Sequence, residues 1–416
     1  MRKASPKGWK TIRVIAIARA ISILGDELAI FALLLRVKHN GGGAISIAAV
    51  LAVGQIPLIF LSPWAGTVVD RVPVRRLAPI VSIAQAVFAA LLAFNSPLLV
   101  SLALICLIGV GQAFTPAAWN ATLPEIVDKD ELPRATSLLQ ALYALAGMAG
   151  PGIAGIMVSK LGYQTPMLTD AATFIVLALV PFFLPLPFHA REKSPRAKGD
   201  VWVGLQIVRK ESVIRALTIL GFSLNVTVGT FSVAELFFAL NDLHASTFIY
   251  GLVGSTFAAG LLSAALFNER RNVSQDRLPF NIVVGGAMAG LGVFLTGFSW
   301  HWVLLFPTAL LVGIGVSTLN AYFIALILQR APEASRGRVM AAVMGVASAG
   351  QIASFAIGGV VVSLIDPRLA ILLSGAACLL VLATLAPSVL RTPSKETFYD
   401  VNPVLPVTNS PAVESE

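Results

Sequence analysis

Arg13-Val-Ile-Ala-Ile-Ala-Arg19-Ala-Ile-Ser-Ile-Leu-Gly25-Asp26-Glu27-Leu-Ala-Ile-Phe-Ala-Leu-Leu-Leu-Arg36 is an apolar run broken inside only by Arg19, Asp26 and Glu27. A hydrocarbon core of about 30 Å needs around 20 residues of helix, and inside it each backbone N–H and C=O must be satisfied within the segment. This run meets the length requirement. Outward from it, eleven more apolar runs follow, at approximately 44–69, 75–95, 97–119, 134–159, 165–187, 212–240, 247–267, 279–298, 301–328, 337–364 and 368–390. Only five charged side chains fall clearly inside the runs: Arg19, Asp26, Glu27, Asp170 and Glu235. The chain therefore reads as an all-α, multi-pass membrane protein with twelve transmembrane helices, and transport is its leading function.

Composition agrees, with 56% hydrophobic and 12% charged residues and a mean hydropathy of +0.83. These values exclude an ordinary soluble fold. A net charge of +9 would suit nucleic acid in a soluble protein. Here its distribution speaks for membrane orientation and against nucleic acid. Of the 30 Lys and Arg, 25 fall on the side of the N-terminus, four (Arg36, Lys38, Lys160, Arg368) on the other, and Arg19 lies within a run. The positive-inside rule then places both termini in the cytoplasm and makes the number of spans even. The expected location is the cytoplasmic (inner) membrane of a bacterium. The basic start before the first run imitates a signal peptide, but the run is too long and carries Asp26 and Glu27, so a retained helix is expected. Cys106 and Cys378 both sit in apolar runs and the four histidines are scattered, which points to neither a disulfide framework nor a metal site. No cofactor is expected.

The longest internal polar segment separates the sixth run from the seventh, and divides the chain into a six-helix half (1–188), a linker (189–211), a second six-helix half (212–390) and a tail (391–416). Within the linker, Val201–Lys210 reads as a helix lying along the membrane interface. A repeat supports two related halves: Glu131-Leu-Pro-Arg134 precedes the fifth run as Glu333-Ala-Ser-Arg336 precedes the eleventh. The tail, polar and rich in proline, has too little apolar surface to order itself.

After the second run comes Gly66-Thr-Val-Val-Asp70-Arg71-Val-Pro-Val-Arg75-Arg76. It resembles the signature loop of the major facilitator superfamily, in which a glycine permits close helix contact and an Asp-Arg pair with following basic residues latches the cytoplasmic sides of the two halves. Pro73 and Val74 depart from that pattern. The resemblance implies that Gly66, Asp70, Arg71, Arg75 and Arg76 form the latch, against Arg336 and Arg338 at the start of the eleventh helix. In the fifth run, Ala146-Gly-Met-Ala-Gly150-Pro151-Gly152-Ile-Ala154-Gly155 packs small residues along a helix bent by proline. It is similar to the antiporter motif of drug-exporting facilitators, with Ala146 and Ala154 in place of two glycines. Ile23-Leu-Gly25-Asp26-Glu27, Pro116-Ala-Ala-Trp-Asn-Ala-Thr-Leu-Pro124-Glu-Ile-Val127, Asp170-Ala-Ala-Thr-Phe174 and Arg336-Gly-Arg338-Val resemble the macrolide-efflux and siderophore-export group of drug:proton antiporters. That resemblance runs to about Leu390 and implies the major facilitator fold of two pseudo-symmetric halves.

A charge in hydrocarbon costs about 2.5 to 3.5 kcal/mol on insertion scales, so such residues normally face a cavity. Arg19 and Asp26 stand seven residues apart, or roughly 10 Å along one helix face. Asp26 is therefore expected to carry the coupling proton, with Arg19 and Glu27 beside it; a structural ion pair with Arg19 is the competing reading. Glu235 fits a second protonatable site, a gate or an outward-snorkelling side chain, and Asp170 fits a helix cap. Phe114, Asn225, Phe231, Asn320, Tyr322 and Gln351 are expected to line a mostly apolar cavity.

Together these readings give a monomeric exporter of amphipathic small molecules driven by protons across the lipid bilayer. Its alternatives are an exporter or flippase of one endogenous substrate, such as a siderophore or lysophospholipid, and a non-transporting sensor on the same scaffold. No nucleophile–base pair or metal set supports an enzyme.

Overall fold

The computed structural model describes residues 6–94, 96–127, 131–184, 200–270, 275–332 and 335–390. Among them the long elements are all helices: α1 (Pro6–His39), α2 (Ala44–Arg71), α3 (Val74–Ala93), α4 (Leu98–Ile126), α5 (Leu132–Leu161), α6 (Gln164–Phe183), α7 (Asp200–Lys210), α8 (Ser212–Phe237), α9 (Thr247–Arg270), α10 (Leu278–Gly297), α11 (Leu305–Arg330), α12 (Arg336–Leu364) and α13 (Pro367–Leu390). A wider π turn, Phe238–Asp242, extends α8. The helices end where local chemistry ends them. Pro73 and Pro97 precede α3 and α4, and Gly162 at φ 81° terminates α5.

Eleven of these helices are long and apolar enough to cross a membrane. The exception among the long ones is α1, whose Arg19, Asp26 and Glu27 interrupt its apolar run. The sequence-based expectation of twelve crossings therefore turns on this charged helix. Residues 189–199 of the linker, Glu333 of the repeat and the tail 391–416 lie outside the described residues.

Helices α1–α6 and α8–α13 pack by the same scheme. In the first set α1 packs on α5 and α6, α2 on α4, and α3 on α4 and α6; in the second, α8 packs on α12 and α13, α9 on α11, and α10 on α11 and α13. Between the sets, α5 packs on α9 and α2 on α12, two contacts that the same correspondence exchanges. The short α7 is seated on α12, where Gly204 lies against the Arg338 carbonyl and Val208 is buried in the core of the second set. Its apolar surface thus covers protein as well as facing outward.

The two sets meet at one end only in their apolar cores. Among the described residues, one hydrophobic cluster draws from both sets, including Leu28, Leu33, Ile47 and Val158 on one side and Val233, Phe238, Val253 and Val362 on the other. These residues all lie toward the helix ends far from the chain termini. Toward the terminal end, the clusters around Trp119, around Leu123 and around Ile214 each stay within one set. The described contacts thus seal the far end, and the helices carry separate cores at the terminal end. At the sealed end Arg36 donates from Nη1 to the carbonyls of Leu92 (2.7 Å) and Phe94 (3.1 Å), and Arg368 donates from Nη2 to the Ser299 carbonyl (3.2 Å). A cation there complements the partial negative charge of a helix C-terminus.

The seam depends on missing side chains. A Cβ at Gly251 of α9 would collide with the Pro151 carbonyl of α5, and the Gly152 amide donates to Ser255 Oγ at 3.0 Å. Gly251→Ala is expected to destabilise the sealed end by about 1 to 3 kcal/mol although alanine is the better helix former. A lowered midpoint of thermal unfolding in detergent would register this; Gly147→Ala, where nothing stands within 4 Å of the new methyl, should leave the midpoint unchanged or slightly raised.

Candidate functional site

Helix α1 presents three consecutive residues to three different neighbours, because successive side chains on a helix diverge by about 100°. Gly25 faces α6, where a Cβ would stand 2.5 Å from Thr173 Oγ1 and 2.6 Å from Asp170 Oδ1. Asp26 shares a side-chain hydrogen bond with Gln112 of α4 and feels the charge of Arg19. Glu27 lies against Gly150 of α5, where a Cβ would sit 2.5 Å from Glu27 Cβ. The small residue of the fifth-helix motif is thus the space into which this carboxyl-bearing side chain fits.

Arg19 is 4% exposed, its guanidinium carbon is 5.8 Å from the ring centre of Tyr143 on α5, and its Nε has no hydrogen-bond partner. Asp170 is 1% exposed and stands about two turns inside α6, whose N-cap position belongs to Tyr163. The expected capping role is therefore corrected: the residue is too far into the helix to reach first-turn amides, and its carboxyl faces α1. Sequence reasoning missed Gln112 and Tyr143 altogether, and had Thr173 only as a member of the string Asp170-Ala-Ala-Thr-Phe174. A polar Gln112 in an apolar run was the one available signal. Nothing local marks Tyr143.

Glu235 occupies the last turn of α8, flanked by the fully buried Val233 and Ala234, and its charge acts on the Tyr250 hydroxyl of α9. The Tyr250 ring stacks on Phe31 of α1, with centroids 5.3 Å apart and planes 22° apart. This stack crosses between the two helix sets at the sealed end, so Glu235 sits behind a contact that must part for that end to open.

The other expected site residues do not gather in one wall. Phe114 lines a crevice between α3 and α4 with Leu77, Val81, Thr115 and Trp119, inside the first set. Asn225 donates to the Gly221 carbonyl of its own helix at 2.8 Å, and Phe231 packs against the sealed-end cluster. Tyr322 is buried in the second set's core and donates to Asn268 Oδ1 at 3.3 Å, tying α11 to α9. Asn320 is exposed and Gln351 half-buried. Pro151 and Gly155 lie on the α5 seam with α9, Gly150 faces Glu27 of α1, and Ala146 and Ala154 are buried along the same helix.

For the latch, the Asp70 side chain and the surroundings of Gly66 fall outside the described residues. Helix α2 ends at Arg71 and α12 begins at Arg336, so the two motifs stand at the terminal end on different sets. Arg71 and Arg76 are exposed and Arg75 half-buried; Arg336 Nε donates to the Leu328 carbonyl at 3.0 Å, and Arg338 is half-buried. Among the described residues no group of three or more His, Cys, Asp or Glu is placed to hold a metal ion.

A family model of the Major Facilitator Superfamily matches residues 15–306 and 232–403. The chain belongs to the Major Facilitator Superfamily. It is a membrane transporter and not an enzyme. Among curated relatives of this facilitator, an uncharacterized MFS-type transporter, YvqJ, of Bacillus subtilis is 23% identical over 331 residues, spanning 75% of this chain and 76% of its own. The multidrug efflux pump Tap of Mycobacterium tuberculosis is 26% identical over 358 residues, 81% of this chain and 83% of its own. Macrolide efflux protein A of Streptococcus pyogenes is 20% identical over 211 residues, 49% of this chain and 52% of its own. The nucleoside transporter NupG shares the fold with a TM-score of 0.75 at 12% identity, covering 91% of this chain and 99% of its own. A bacterial homolog of the human lysosomal transporter Spinster, in an inward-facing and occupied conformation, gives 0.70 at 10% identity, covering 93% and 97%.

The Phe31–Tyr250 stack gives a direct test of the sealed end. An aromatic pair contributes about 0.5 to 1.5 kcal/mol beyond its buried area, so Tyr250→Ala should raise the frequency of opening about fivefold. In a background with Cys106 and Cys378 replaced by serine, Val233→Cys should react about fivefold faster with a thiol reagent applied from that side. Tyr250→Phe, which keeps the ring, should react at the unmodified rate.

Proposed function

We propose that this facilitator exports amphipathic small molecules, drug-like or secondary metabolites, in exchange for protons. The observation that carries the reading is the enclosed charge centre on α1: Asp26 with Gln112 and Arg19, Glu27 against the motif glycine Gly150, and Asp170 behind Gly25. Helix α1 serves as the twelfth crossing, its charges turned toward α4, α5 and α6 and away from lipid. The basic residues concentrated at the terminal end put that end, with both termini, in the cytoplasm of a bacterial cell. The efflux function in the names of the mycobacterial and streptococcal relatives supports export as the direction.

In this reading the two halves rock about the central site, in the manner for which this superfamily is itself a standard illustration. The present arrangement, sealed at the far end, is the one that receives substrate from the cytoplasm. Parting of the Phe31–Tyr250 stack and closure of the terminal end follow, with Asp70 latching near Arg336 and Arg338. Arrival of a proton at Asp26 favours the return, and Glu235 governs the outer gate. One elementary charge crossing 100 mV supplies about 2.3 kcal/mol, enough for roughly a fiftyfold gradient of an uncharged solute. A single proton per cycle therefore sustains useful efflux by a monomer with no cofactor.

The test is ethidium transport by the full-length protein in liposomes with an imposed pH gradient, beside a sodium gradient and beside a fluorescent lysophospholipid. Ethidium movement that follows the pH gradient is expected, and Asp26→Asn should reduce it at least tenfold while the protein reaches the bilayer in equal amount. Gradient-driven transport at the wild-type rate in Asp26→Asn would remove Asp26 from the coupling role. Movement of the lipid alone would reassign the substrate class.

A further inference from the structure

Asp170 is a buried carboxyl that the transport mechanism above leaves without a task. Its surroundings hold it poorly as an isolated charge. Thr173 Oγ1 lies 3.4 Å from Asp170 Oδ1 but directs its one hydrogen to the Asp170 backbone carbonyl, 2.7 Å away. The ionisable group acting on Asp170 is another carboxyl, Asp26. An unpaired carboxylate removed from water costs several kcal/mol, and that cost rises beside a like charge.

Gly25 is what makes the two carboxyls neighbours. With no Cβ, it lets α6 approach until the Asp170 backbone would stand 3.1 Å from such an atom. The groups facing this point are few. From α1 come Asp26, Arg19 and, turned toward α5, Glu27; from α4, Gln112; from α5, Tyr143; from α6, Asp170 and Thr173. Asp26 has a hydrogen-bond partner, Gln112, and a cation, Arg19, whereas Asp170 has the long Thr173 hydroxyl contact of 3.4 Å and a second carboxyl as its charged neighbour. Arg19 is 4% exposed and keeps its Nε unpartnered beside this centre.

The geometry points to Asp26 and Asp170 as one two-carboxyl proton site, closed across the α1–α6 contact, with Arg19 as its compensating charge. With one proton on the pair, the remaining negative charge is balanced by the guanidinium. When that proton leaves, two carboxylates are left beside the Gly25 contact, Asp170 against Gly25 and Asp26 one residue along, and their repulsion acts to separate α1 from α6 there. The site thereby couples a proton directly to the packing of two helices in the same half. This inference rests on the proton-exchange reading and adds to it a second carrier residue.

Asp170→Asn, Asp170→Glu and Gly25→Ala, each in the full-length protein in liposomes, decide the matter, with ethidium transport followed against pH. Removing the like charge from beside Asp26 should move the pH of half-maximal transport in Asp170→Asn to the acid side by about one unit. Asp170→Glu should return it most of the way. Gly25→Ala keeps every titratable group, and it should slow gradient-driven transport at least fivefold by forcing α6 away from α1. If Asp170→Asn does not reach the bilayer, Gly25→Ala and Asp170→Glu carry the test. An unshifted midpoint in Asp170→Asn, or wild-type transport in Gly25→Ala, overturns the paired site while leaving proton exchange standing. A wild-type protein indifferent to pH or driven by sodium alone overturns both.

Discussion

The approach of α5 to α9 is the contact on which the remaining architecture depends. Backbone meets backbone where Gly251 faces the Pro151 carbonyl, and Gly152 is held by Ser255. In lipid the hydrophobic effect does not drive helices together, so such seams rely on close van der Waals packing and hydrogen bonds between small residues. With its counterpart between α2 and α12, where Gly359 lies against Ala48 and Ile45, this seam joins the two sets at one end. The mixed apolar core around Leu28, Val233 and Phe238 forms behind it.

A second constraint comes from the charges of α1. A helix carrying Arg19, Asp26 and Glu27 is stable in a bilayer only if its polar faces are covered. The fold covers them on three sides, with Gln112 from α4, Tyr143 and Gly150 from α5, and Asp170 from α6. Glycine at 25 and 150 makes the enclosure tight without crowding. The fifth-helix motif thus has two jobs at neighbouring positions: Gly150 admits Glu27, and Pro151 supplies the carbonyl that Gly251 accommodates. These contacts lie on opposite flanks of α5, one within its own set and one between sets, so the helix that confines the charge also holds the seam.

Much of the fold was legible in the amino-acid sequence because helix formation in an apolar run is local. The expected runs and the observed helices agree closely along the chain, as at 247–267 against Thr247–Arg270 and 368–390 against Pro367–Leu390. The small-residue chemistry of the fifth helix was legible for the same reason. The linker helix was found too, yet its seat on α12 was not, since the contact of Gly204 with Arg338 depends on how the second set is assembled. Asp170 was misjudged on similar grounds. Nearness to a helix start suggested capping, and only the packing of α6 on α1 turned its carboxyl toward Gly25. Tyr322 shows the reverse case, a residue suited by type to a cavity but used to tie α11 to α9 through Asn268.

By itself the sequence determined the membrane class, the helix positions, the charge asymmetry and which five charged residues stand inside the apolar runs. Each follows from length, hydropathy and the order of residues, properties that need no knowledge of neighbours. Tertiary structure decided which end is sealed, which glycines are filled by whose side chains, and that Asp170 packs on α1 at Gly25 while Asp26 stands with Gln112 and Arg19. Those pairings join residues of different helices. In a bundle where any apolar face can pack against another, only the assembled backbone contacts choose among them.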